Sequence, residues 1–151
     1  MSLLAAWITT FAVCVAGSIV PLINTEIYLI SAVALSPSSY VVPLVVAATL
    51  GQMAGKVVMY YAGRGVVRLP SERVRTRMVA MQARLQARPR AGEAVLLASA
   101  TVGLPPLYVV AIACGAVRMN LVSFIVIGTV GRLIHFAAVA ALPELARHLL
   151  R

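Results

Sequence analysis

From Ser18 to Lys56 the chain reads SIVPLINTEIYLISAVALSPSSYVVPLVVAATLGQMAGK. Pro21, Asn24 and Glu26 interrupt a run that is otherwise apolar enough to sit in lipid, and Lys56 closes a glycine-bearing apolar segment. An ionised side chain inside the hydrocarbon layer costs roughly 2.5–3.5 kcal/mol on insertion scales, so residues of this kind mark a partner or a pathway. Proline cannot continue a helix, and a polar break is tolerated at membrane depth only where protein or a wet cavity covers it.

Composition makes lipid the solvent to reason with. The chain is 62% hydrophobic and 11% charged, with a mean hydropathy of +0.97, whereas soluble domains are about 45–50% apolar and about 25% charged. There is no Asp, and the acids are Glu26, Glu72, Glu93 and Glu144. These features define an all-α integral membrane protein. The formal charge of +9 would suggest nucleic acid in a soluble chain. Here most cations lie between Arg64 and Arg90, beside apolar segments. That position fits anionic lipid head groups and a cytoplasmic location for the 64–90 segment, and it excludes nucleic acid as the partner. Cys14 and Cys114 lie in apolar runs without CxxC spacing or a nearby His, so they are read as small buried hydrophobes and no metal site or cofactor is expected. Residues 1–20 are taken as part of the mature protein, because no Lys or Arg precedes the first apolar run.

The chain reads as one membrane domain over 1–151. Residues 3–17 and 26–35 are apolar arms too short for the about 20 residues of a straight span. The pair, 3–35, is expected to form a first re-entrant hairpin broken at Pro21; the alternative is one long kinked span. Residues 40–62 form a full transmembrane helix with Tyr60 and Tyr61 as interface anchors. Gly51 and Gly55 within it allow close approach of another backbone, which makes a homodimer conceivable. Residues 70–89 carry Val74, Met78, Met81 and Leu85 on one helical stripe, with Arg73, Arg77 and Arg84 off it. This pattern predicts an interfacial amphipathic helix that touches lipid head groups. Residues 93–117 form a second pair of arms around Pro105 and Pro106, and 120–142 a second transmembrane helix containing Gly128, Gly131 and Arg132.

Proline-broken arms followed by a glycine-bearing span thus occur twice, with Lys56 answering to Arg132. Repeats with discontinuous helices are a pointer to a transporter binding site, and an inverted-repeat arrangement is expected. If the hairpins enter from opposite faces, Glu26 shares a midplane cavity with Lys56 and Arg132. Asn24, Arg118 and Tyr108 complete the expected substrate or ion pathway. His135, three residues after Arg132, is read first as a core histidine and second as a proton relay. No nucleophile–base–acid constellation is present, so no enzymatic role is expected.

The segments Pro21 to Glu26, ATLGQMAGKVVMYYAGRG (Ala48 to Gly65), GLPPLY (Gly103 to Tyr108) and CGAVRM followed by Phe124 and GTVGR resemble, in this order, the DedA superfamily, also called the VTT or SNARE-associated domain. The resemblance is closest to small bacterial members and covers about residues 10–136. It implies two facing re-entrant hairpins, an amphipathic helix between the halves, and location in the bacterial cytoplasmic (inner) membrane. It also implies lipid translocation, with undecaprenyl phosphate or phospholipids as substrates and with possible coupling to protons. Where larger members place arginines on both sides of the second hairpin's proline, Val102 and Tyr108 stand here, leaving Arg118 and Arg132 as cations. The functional expectation is a flippase or scramblase. The alternatives are a proton- or ion-coupled exporter of small solutes, and a membrane organiser that binds anionic lipid without transport.

Overall fold

Apolar runs without water must satisfy their backbone groups internally, and a helix does so within one segment. The computed structural model describes residues 2–19, 24–65 and 89–149, and within these the chain forms α-helices and no strand. The helices are α1 (Leu3–Ile19), α2 (Thr25–Ala34), α3 (Val41–Gly63), α4 (Pro89–Val102), α5 (Leu107–Ala116) and α6 (Leu121–Leu149), with a 3-10 turn at Ser38–Tyr40 before α3. Among the described residues, two stretches are long and apolar enough to cross a membrane, Ser38–Gly63 and Leu121–Pro143. The other helices are shorter, and they pair: α1 packs on α2, and α4 packs on α5.

Polar residues at the ends define these elements. Asn24 is the N-cap of α2, its Oδ1 accepting from the Glu26 and Ile27 amides at 3.0 and 3.1 Å. Asn120 does the same for α6, accepting from Val122 and Ser123. Each cap satisfies two of the four amides that a helix start leaves without an intrahelical partner. Between α4 and α5, Gly103 takes φ +87°, the Leu104–Pro105 bond is cis, and the Ser99 hydroxyl donates to the Pro105 carbonyl.

The chain divides into two compact units, one of residues 1–55 and 132–151, the other of residues 56–131. The first holds α1, α2, the start of α3 and the end of α6. Its core is built from Ala6, Cys14, Leu29, Val33, Leu44, Val45, Ala48, Phe136 and Ala140. Gly51 lies against the Phe11 carbonyl and Gly55 against Ser18, so the glycine face of α3 is used by α1 of the same chain. The second unit holds the end of α3, α4, α5 and the start of α6. There Gly131 meets Ala100, Gly128 is buried, and Tyr60 packs on Phe124 with ring centroids 5.1 Å apart.

Most boundaries shift by one or two residues from the sequence expectations, and three of the differences are as follows. The first arm of the second pair begins at Pro89 rather than 93, because proline's fixed φ suits the first helical position. The helix α6 does not stop at 142 but passes through Pro143 to Leu149; the ring removes one hydrogen bond without ending the element. The helix α3 begins at Val41, one residue later than expected. Pro21, the expected break of the first hairpin, lies outside the described residues. So do residues 70–88 of the expected amphipathic helix, with Arg73, Arg77 and Arg84.

Candidate functional site

The polar residues of the first unit converge on the start of α2. Asn24 ends the preceding segment by capping, which sets Glu26 in the first turn of α2. An acid there faces the positive end of the helix dipole. Glu26 Oε1 lies 2.9 Å from His135 Nε2 on α6. The His135 side chain is 13% exposed and the Glu26 side chain 49%, so the carboxylate is open on one side while its partner is enclosed. A first-turn position leaves one side of the Glu26 carboxylate uncovered by the chain itself.

Arg132 precedes His135 by three residues, which puts both on one face of α6 at neighbouring positions. It is 7% exposed, its guanidinium lies over the Phe136 ring at 5.7 Å, and its Nε has no hydrogen-bond partner. The Glu26 carboxylate acts on it electrostatically. An acid, an imidazole and a guanidinium thus stand together on α2 and α6.

Next to Glu26, Thr25 is buried and its Oγ1 accepts from Gln52 Nε2 of α3 at 2.7 Å. Gln52 Oε1 is buried without a partner. A buried polar atom left without a partner costs on the order of 1–3 kcal/mol, so two such atoms, on Gln52 and Arg132, mark a region not optimised for packing alone. Deeper in this unit the Thr10 and Tyr28 hydroxyls share a hydrogen bond of 3.1 Å, joining α1 to α2.

The structure places the remaining expected residues as follows. Lys56 is buried on α3, at 6% exposure. Asn24, expected on the pathway, spends its side-chain oxygen on the helix cap. Tyr108 is exposed in the first turn of α5, beside exposed Pro105 and Pro106. Arg118 is exposed at the end of α5, with φ +55°. Sequence reading did not single out Thr25 or Gln52, although a glutamine in an apolar span is itself a signal. His135 is legible by its spacing from Arg132 and Glu26 by its place in an apolar run, but their pairing across 109 residues carries no local mark. No group of three metal-ligating side chains occurs among the described residues.

The sequence profile of the VTT domain matches residues 20–144. The chain belongs to the VTT-domain family, the DedA or SNARE-associated family. Comparison with curated proteins and with solved structures finds no match. The VTT match covers every polar residue of the site described above, from Asn24 to His135. With its long apolar helices it makes this an all-helical membrane protein of a family associated with membrane transport.

Proposed function

We propose that this VTT-domain protein is a lipid transporter of the flippase or scramblase type, acting on phosphate-bearing lipids such as polyprenyl phosphates or phospholipids. The observation that carries the reading is the Glu26–His135 pair at 2.9 Å beside a buried Arg132 whose Nε is unpartnered. Ionisable groups within apolar helices are retained for a pathway or a partner. A guanidinium with a spare donor suits a phosphate oxygen. The open side of Glu26 admits a head group, while the tails need never leave hydrocarbon. In this reading α1 and α2 form a re-entrant pair, as do α4 and α5, each followed by a crossing helix. Lys56 is a second cation of the pathway.

The test is lipid translocation in proteoliposomes containing the full chain. Glu26→Gln and Arg132→Gln are expected to abolish translocation in reconstituted protein that is still helical by circular dichroism. Translocation at the wild-type rate in both variants rejects the proposal.

A second reading, a proton-coupled exporter of small solutes, is favoured by the same pair, since a carboxylate and an imidazole in contact are the groups from which proton relays are built. A pH-dependent solute flux indifferent to the lipid head group would select it.

A further inference from the structure

The helix α5 ends in an arrangement that normally calls for glycine. Val117 is its C-cap, the Met119 amide donates to the Cys114 carbonyl at 2.9 Å, and the Arg118 amide donates to the Gly115 carbonyl at 3.0 Å. This pair of bonds is a Schellman motif, which places the residue after the cap in the left-handed region. Arg118 occupies that position with φ +55°. At the end of α3 the left-handed residue is Gly65, with φ +84°. The same chain therefore uses glycine at one helix end and arginine at the other, where a Cβ disfavours the conformation. A residue held in a disfavoured conformation points to a role for its side chain.

The surroundings say what that role is. The Tyr60 hydroxyl donates to the carbonyl of Met119, next to Arg118. The Arg64 guanidinium lies 5.5 Å from the centre of the same Tyr60 ring. Tyr60 is fully buried, so one tyrosine anchors both places: Arg64 lies over its ring, and Arg118 precedes the residue whose carbonyl its hydroxyl reaches. Glycine-against-backbone packing fixes this geometry: Gly63 lies on the Ile112 carbonyl and Gly115 on that of Tyr60. Both arginines are exposed, and neither has a carboxylate partner among the described residues. The sequence holds no acid between Glu93 and Glu144. Tyr61 beside them is also partly exposed, and tyrosine at a span end sits at head-group level.

We propose that Arg64 and Arg118 form a two-arginine clamp for the phosphate of an anionic lipid, in the leaflet reached by the end of α3 and the start of α6. Planar guanidinium groups bind phosphate oxygens bidentately. Arg64 begins the basic stretch of the sequence, so the leaflet is the one whose anionic surface such a stretch seeks. The clamp does not depend on the Glu26 site, and either assignment can fail while the other stands.

The experiment titrates phosphatidylglycerol into the full chain held in phosphatidylcholine micelles and follows the melting temperature. The wild-type chain is expected to be stabilised by phosphatidylglycerol and not by inorganic phosphate. Arg118→Asn keeps a residue that tolerates the left-handed region and removes the charge; Arg64→Gln removes the other cation. Each is expected to weaken the phosphatidylglycerol response about tenfold, one charge-assisted contact. Without phosphatidylglycerol the Arg118→Asn protein should melt no lower than wild type. An unchanged response in either variant overturns the proposal, and so does equal stabilisation by inorganic phosphate. Loss of stability in phosphatidylcholine alone for Arg118→Asn would assign the residue to the helix end instead. Should that variant not fold, Arg64→Gln, which alters no left-handed residue, decides.

Discussion

The Cα of Gly115 on α5 lies against the main-chain carbonyl of Tyr60 on α3, leaving no room for a Cβ. Gly63 on α3 stands in the same relation to the Ile112 carbonyl of α5. Each helix supplies the glycine that the other's backbone needs, and the crossing is fixed at two points. Where lipid tails are as apolar as leucine, packing of this closeness holds helices together.

Alanine at either position must therefore push the helices apart. Gly115→Ala and Gly63→Ala are each expected to lower stability by about 1–3 kcal/mol, the usual effect of overpacking. Thermal unfolding in detergent, with exposed Ser39→Ala as control, measures it. A melting temperature matching the control would contradict the close approach.

Asn24, expected on the pathway, is also the N-cap of α2. Asn24→Ala removes a cap and is expected to cost about 1 kcal/mol, whereas Asn24→Ser, another good N-cap, should restore most of it. If serine also restores translocation, the side chain acts by starting α2. Stability restored without translocation would return Asn24 to the pathway.

Glu26 and Arg132 should behave as a coupled pair. Removing one charge leaves the other uncompensated, and removing both does not. In a cycle of Glu26→Gln, Arg132→Met and the double variant, the double variant should be more stable than the sum of single effects predicts. The expected coupling is about 0.5–3 kcal/mol. Strict additivity in unfolding measurements would show that the two act separately.

The Thr25–Gln52 hydrogen bond gives an asymmetric prediction. Thr25→Val strands the Gln52 amide donor in a buried place, at about 1–3 kcal/mol. Gln52→Met removes that donor and the already unpartnered Oε1 together, leaving only the smaller Thr25 hydroxyl. Gln52→Met should therefore be the milder change in a melting experiment, and the reverse order would remove Gln52 from this bond.

What the sequence revealed followed from local rules. Apolar length set apart α3 and α6 as the long helices, and Pro105–Pro106 marked the joint between α4 and α5. Period and composition were silent on three other matters. The Glu26–His135 pairing joins residues at opposite ends of the chain, so no spacing announces it. The left-handed Arg118 breaks the preference for glycine, and a reading based on preference passes over it. The continuation of α6 beyond Pro143 depends on how the rest of that helix is held, which a proline rule does not contain.

The Tyr60–Met119 bond carries one more implication. It ties the exit of α3 to the entrance of α6, so that in a membrane these two helix ends would lie at one depth. Reporters placed beside Arg64 and beside Asn120 should accordingly sense the same compartment; readings from opposite sides would show that the bond is not made.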